Sequence, residues 1–491
     1  MSEHLPALVF LIPFVTAICM PIAGSRDGRR CQTVVLAAFF CMALAAAATL
    51  WFVVRYGEIR YSFGGWAPPE GIEWVADEVG SIMALTLSVL ACLCLLYMRS
   101  VPIDPLGGRT IPFYTILLLL VSGLTGVVFA GDLFNLFVFL EIVALCGYTL
   151  VGVPGGRALV SAFRYLIMGA LGGSFFLLGL SYFYAATGTL NMADLAQRVP
   201  DLLASKAVIG GLSFMFIGLG IKMALMPLHG WLPDAYNDAP DAVSPLLAAL
   251  LTKVALLAWI RILFWVVGAG NGGQPSEIFA LVWVLGAVAS VGGAFLALAQ
   301  RDLKRIFAYG GLAHIGLILI GVGQGSQTGL TGGLFYLIND AVMQCMLFVF
   351  AGAIGHQFGV RTLDELGSTH IRNPWLIGAF VIVALSMIGL PPTGGFFGKW
   401  YIVLSAIESR NYVAVAAVIL TTLLTMAYFI RVLERLVRVG KDAPDASRVE
   451  TPLPLRVSLG VLSAAMIGLG LWSDRIVNVL LETTTRLGLG S

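Results

Sequence analysis

Charge is scarce in this sequence: Asp, Glu, Lys and Arg together make up 11% of its 491 residues. A water-soluble domain carries about a quarter, so the ordinary classes of soluble enzyme are excluded. Cysteine is sparse as well, seven in all, and none stands at zinc or iron–sulfur spacing. All but Cys31 fall in apolar runs. Cys92 and Cys94 point to nearly opposite sides of a helix and cannot share a ligand, so the thiols read as packing groups. No Gly-rich loop follows a strand, and there is neither a haem-attachment pair nor a flavin fingerprint. The chain is expected to hold no metal and no cofactor; redox chemistry, if any, belongs to another protein. A net charge of +2 gives no sign of a nucleic-acid partner. No basic segment precedes the first apolar run, which reads as a retained span and not a cleaved signal.

What the sequence has in abundance is apolar length. It is 59% hydrophobic, and runs long enough to cross a bilayer, about 20 residues each, recur about fourteen times between residues 6 and 471. The expected fold is all-α and polytopic, with the lipid bilayer as its solvent. Polar segments at 55–80 and 187–203 interrupt the runs, and the segment after residue 471 reads as a short interfacial tail. Basic residues fall in alternate loops. Arg26, Arg29 and Arg30 lie on one side, joined there by Arg99, Arg109, Arg157, Arg164, Arg301, Lys304, Arg305 and the 435–456 group. The loop carrying Glu58, Glu70, Glu73, Asp77 and Glu78 lies on the other. Basic loops stay in the cytoplasm, so both termini are expected outside it, in a cell-membrane protein.

Two of the apolar runs are broken, and each carries a lysine. GIKMALMPLHGWLPDAY places Lys222 before a break at Pro227, followed by His229; the next run, SPLLAALLTKV, carries Lys253. IGLPPTGGFFGKWY breaks at Pro391 and Pro392 and then places Lys399. A charge at the centre of a spanning helix costs about 2.5–3.5 kcal/mol on insertion scales and normally faces a cavity or ion path. Irregular backbone at that depth is tolerated only against protein or water. Broken helices that recur in two successive blocks of spans are a known transporter design. The blocks divide the chain into 1–110, 111–270, 271–440 and 441–491.

Other ionisable residues sit deep in the runs. Glu141, in FVFLEIVALCGYTLVG, is too far from either interface to snorkel, so it needs an internal partner. Lys222 and Lys253 are alternatively lysines that reach an interface by their long stems. His314, in AYGGLAHIG, is either a hydrogen-bonded core residue or a proton relay. Asp340, next to Asn339 and one turn before Gln344, is either a local backbone partner or part of a path. His229 lines the path or satisfies loop carbonyls, and His356 and His370 read as solvated. A carboxylate about 5 Å from an ammonium, at an effective dielectric near 20, gains about 3.3 kcal/mol, roughly two pKa units. Such a pair switches: Glu141 would hold a proton on Lys222, and its release would pass the proton to Lys253, His314 and Lys399.

These stretches, in this order, resemble the antiporter-like subunits shared by Mrp-type sodium/proton antiporters, respiratory complex I and membrane-bound hydrogenases. The resemblance spans nearly the whole chain, and GGWAPPEGIEWVAD is similar to the family's outer hairpin. It implies fourteen helices with two inverted five-helix repeats, integral membrane subunits as partners, and protons, with sodium in Mrp systems, as the transported ions. It places Glu141 on the acidic switch, Lys222 on its partner lysine, Lys253 on the central lysine, His314 on the relay and Lys399 on the distal site. His229 matches the histidine of the first break. Arg164 stands where relatives commonly carry lysine, so the charge is kept and the titration is not. Gln344 stands where many relatives carry lysine or histidine, so the step from His314 to Lys399 would run through water or Asp340. The Asn339–Asp340 pair favours an Mrp-D-like antiporter chain, with a complex I or hydrogenase pumping subunit as the alternative. Rivals of other classes are a non-conducting scaffold and a stand-alone solute transporter.

Overall fold

The computed structural model describes residues 2–23, 28–101, 109–268, 276–369, 371, 373–437 and 450–487; Arg26 and His370 lie outside them. The chain is a bundle of helices. In order these are α1 (Leu5–Ala23), α2 (Gly28–Tyr56), α3 (Glu78–Met98), α4 (Thr110–Phe129), α5 (Leu133–Gly152), α6 (Arg157–Thr187), α7 (Met192–Arg198), α8 (Lys206–Lys222), α9 (Leu232–Asp238) and α10 (Ser244–Arg261). They continue as α11 (Ser276–Ala299), α12 (Leu303–Val322), α13 (Gln327–Phe358), α14 (Leu363–Ser368), α15 (Pro374–Ile388), α16 (Gly394–Glu408), α17 (Tyr412–Val437), α18 (Leu453–Leu471) and α19 (Ser473–Arg486). Among the described residues, twelve helices are long and apolar enough to span a membrane unbroken. Two further runs are each made in two pieces, α8 with α9 and α15 with α16, which is where the prolines placed the breaks. This is a multi-pass membrane fold.

Burial sorts the helices. In α2 the buried positions include Cys31, Val35, Phe39, Met42, Ala46, Thr49 and Val53, a stripe at helical period whose other faces are left for lipid or a neighbour. Cys31, expected outside the apolar runs, is inside this stripe, because α2 begins well before the run does. By contrast, α10 is buried at every residue, and α13 is buried without interruption from Gly329 to Ile354. A helix apolar all round packs at the centre of a bundle, and these two pack on each other there. Small residues allow close approach elsewhere: a Cβ on Gly218 of α8 would sit 2.6 Å from the Gly172 carbonyl oxygen of α6.

The acidic loop folds as an antiparallel hairpin, β1 (Ile59–Ser62) with β2 (Glu73–Ala76), in register Ile59 to Ala76 and Ser62 to Glu73. It lies at the end of the bundle opposite the basic loops, here termed the hairpin face. The C-terminal tail is helical. Its helix α19 docks on α13 through Gln327, which donates to the Leu481 carbonyl and to Thr485 Oγ1, with Thr331 and Thr484 in contact beneath. At the basic face, α14 opens with a capping box in which the Arg361 and Thr362 N–H groups hold the Glu365 carboxyl below its ordinary range.

Candidate ion path

The first break sets the geometry of the first ion pair. Helix α8 ends at Lys222, so the ammonium sits at the negative end of the helix dipole. The chain then turns through Ala224, a non-glycine residue at φ +56, a sparsely populated conformation that clusters at functional sites. Trp231 ties the turn down by donating to the Ile221 carbonyl at 2.9 Å, and Tyr165 stacks on it, centroids 4.0 Å apart. Lys222 Nζ lies 2.7 Å from Glu141 Oε1. The carboxylate fits because residue 173 on α6 is glycine: a Cβ there would overlap Glu141 Oε1. Lys222 is 8% exposed and Glu141 30%, so the carboxylate is the member of the pair that faces out of the bundle.

The second cluster lies at the centre. Lys253 Nζ is 2.9 Å from Asp340 Oδ2 and donates to the Ala248 carbonyl at 3.0 Å. The other oxygen, Asp340 Oδ1, is 3.1 Å from His314 Nδ1, and both residues are fully buried. Asp340 therefore bridges α10 and α12, a contact its sequence neighbours Asn339 and Gln344 gave no reason to expect. Tyr336 Oη also reaches His314 Nδ1, at 3.0 Å. That nitrogen donates to Asp340 when it carries the proton and accepts from Tyr336 when it does not. Tyr336, Asp340 and Gln344 stand four residues apart on α13, one face of the helix. That spacing was the available signal for Tyr336, which sequence reasoning passed over.

Lys399 is placed differently from the other lysines. Its Nζ donates to the Met387 and Ile388 carbonyls at 2.8 and 3.1 Å and approaches Thr422 Oγ1 at 3.4 Å. It caps the open carbonyl end of α15 from across the break, where Gly389 turns the chain at φ +87, a conformation that favours glycine. No carboxylate is in ion-pair range of it among the described residues. On the helices around His314 and Lys399 several buried polar atoms have no protein partner: His314 Nε2 on α12, Gln344 Nε2 on α13, Ser386 Oγ on α15 and Thr421 Oγ1 on α17. Such groups are normally satisfied by water. Gln344 lies against Gly311 of α12 and makes no bond to His314, Asp340 or Lys399.

The supporting residues divide. His229 is half-buried in the break with its ring edge-on to Tyr309, 6.0 Å away. Arg164 is not at the Glu141–Lys222 pair; its Nη1 bonds Asp234 Oδ2 of α9 at 2.9 Å, and Arg305 takes the other oxygen at 2.7 Å. Asp234 belongs to a row of carboxylates below the break. Asp238 accepts from Ser161 at 2.6 Å, and Asp241 holds Lys304 at 2.6 Å. Lys304, counted in the sequence as a loop cation, is buried. His356 is exposed, as expected. Cys94 and Cys345 meet at 3.5 Å between α3 and α13. Among the described residues no His, Cys, Asp and Glu group has metal-site geometry.

Residues 130–425, which hold Glu141, Lys222, Lys253, His314, Asp340 and Lys399, match the family described as NADH:quinone oxidoreductase/Mrp antiporter, TM. The chain belongs to that family. It is 39% identical to NADH-quinone oxidoreductase subunit N of Desulforudis audaxviator, over 98% of each chain. It is 29% identical to the antiporter subunit mnhD2 of Staphylococcus haemolyticus, over 100% of this chain and 96% of the relative. Among solved structures, a chain of the membrane-bound sulfane sulfur reductase, an archaeal respiratory membrane complex, superposes with a TM-score of 0.88 at 28% identity. That match covers 99% of this chain and 97% of the other. The family member described here is thus an antiporter-like subunit whose relatives work in multisubunit membrane complexes.

Proposed function

We propose that this chain moves protons across the membrane as one subunit of a larger complex, along Glu141, Lys222, Lys253, Asp340, His314 and Lys399. The observation that carries the reading is the central cluster. Two basic groups from different helices share one fully buried carboxylate, an arrangement that is costly to bury and that can hold its charge in more than one distribution. Residues 111–270 and 271–440 form two repeats of inverted topology, each with one broken helix, and the basic face lies in the cytoplasm with both termini opposite. Glu141, the outward-facing member of its pair, meets a neighbouring membrane subunit. The chain supplies the path and not the driving reaction.

The parent complex has two readings. Asn339–Asp340 and the similarity to mnhD2 support an Mrp-type assembly in which protons exchange for sodium. The higher identity, 39% to an NADH-quinone oxidoreductase subunit, supports a complex in which quinone reduction drives the same path. Assaying the purified complex in vesicles for a sodium-driven and for a quinone-driven pH gradient separates them. Glu141→Ala and Lys222→Ala test the shared claim: either should reduce the gradient at least about tenfold, since each removes a proton-transfer group from the path. Unchanged gradients in both variants, with the complex assembled, would make this chain a scaffold.

A further inference from the structure

At the hairpin face a cavity of about 380 Å³ opens between the hairpin, α7 and the end of α10. Its wall carries Glu58, Arg60 and Glu73, and its floor is Asp77 bonded to Arg261. Glu73 is buried and held by Asn191 Nδ2 at 2.7 Å. Asp77 caps α3, accepting from the Gly80 N–H at 2.7 Å, and the Arg261 Nη2 donates to the same oxygen. The fit is tight: a Cβ on Gly80 would lie 2.6 Å from that guanidinium nitrogen. Arg261 is only 4% exposed, lines the cavity, and its Nε–H has no acceptor in the protein. A buried donor at a polar cavity wall calls for a water oxygen. Next to Gly80, the buried Ser81 hydroxyl is likewise without a protein partner.

Arg261 is also the point where α10 changes character. The helix runs from Lys253 to Arg261, about 12 Å along its axis, and then widens into a π-helical segment, Ile262–Val267. Such bulges gather at functional sites. Trp265, within the bulge, is part of the cavity wall. We propose that this cavity is a hydrated port from the hairpin face to the Lys253 cluster, and that the buried Asp77–Arg261 pair is its gate. Arg60 pairs with both Glu58 and Glu73, and Arg261 with Asp77; three carboxylates against two guanidiniums leave one negative charge in excess, which favours protons and other small cations at the mouth. Opening the pair frees the Asp77 carboxylate to take a proton from the cavity and the guanidinium to swing along α10.

The proposal rests on the proton-moving reading above, and its test separates the two. In right-side-out vesicles holding the whole complex, Ala196→Cys on the α7 wall is treated with a membrane-impermeant methanethiosulfonate bearing a positive charge. The wild-type complex is the control for its own cysteines. Modification should slow translocation several-fold relative to the same vesicles before treatment. A negatively charged reagent should slow it less. Asp77→Asn, which weakens the gate, should make a standing pH gradient collapse several-fold faster. Failure of the introduced thiol to react from the hairpin face, or full reaction with no change in rate while Lys253→Ala abolishes translocation, would overturn the port and leave the function standing. Were Lys253→Ala also without effect, the function itself would fall. If Asp77→Asn prevents assembly, the cysteine arm decides alone.

Discussion

Asp340 touches Lys253 with one oxygen and His314 with the other, and a single carboxylate cannot neutralise two full positive charges. On the proposed path, the proton would pass between lysine and imidazole at this carboxylate. Asp340→Asn preserves shape and removes the charge. The amide can still accept one hydrogen bond but can neither hold a counter-charge nor pass a proton. Translocation should then drop at least about tenfold, measured as the initial rate of vesicle acidification with the complex intact by gel filtration. A wild-type rate would remove Asp340 from the path. The positions of Glu141, Lys222, Lys253, His314 and Lys399 were legible because a charged or polar group inside an apolar run stands out by itself. For Asp340 the sequence left a path role and a local one open, because Asn339 and Gln344 offered a local reason for its polarity. Its partners come from helices whose packing no local pattern reports.

At the scale of single elements, the broken helices do the positioning. Each presents a carbonyl end inside the bundle, and in both cases an ammonium sits there: Lys222 on its own helix, Lys399 reaching back across the break. The prolines announced the breaks, and the hairpin was expected from the resemblance of GGWAPPEGIEWVAD to the family's outer hairpin. Less visible was the continuation of the tail as α19, since its docking surface belongs to α13. The close pairing of α5 and α6 was also hidden, because it depends on a missing side chain. Gly173→Ala tests it. The added methyl would overlap Glu141 Oε1, so the carboxylate must shift from the position in which it meets Lys222. The expected result is a severalfold slower gradient with the helix retained, since alanine is the better helix former by about 1 kcal/mol. A rate unaffected by the methyl would show that the Glu141–Lys222 contact is not needed.

Across the whole molecule, the most deeply buried helices are also the ones that carry the central charges: α10 with Lys253, α12 with His314, α13 with Asp340. Burial and charge coincide because the surrounding helices shield the cluster from lipid and the cluster supplies its own counter-charges. The cluster joins the two proposed repeats, α10 standing in the first and α12 and α13 in the second, so the proposed path crosses between them at Lys253. Lys253→Met keeps the length and the apolar contacts of the stem while removing the ammonium. The deciding measurement is proton translocation by the complex carrying Lys253→Met, reconstituted in liposomes and compared with wild type at equal incorporation. A connected path predicts loss of at least about 90% of the rate, the equivalent of about 1.4 kcal/mol or more in barrier height. Translocation at the wild-type rate would mean that protons do not pass through the centre of this chain.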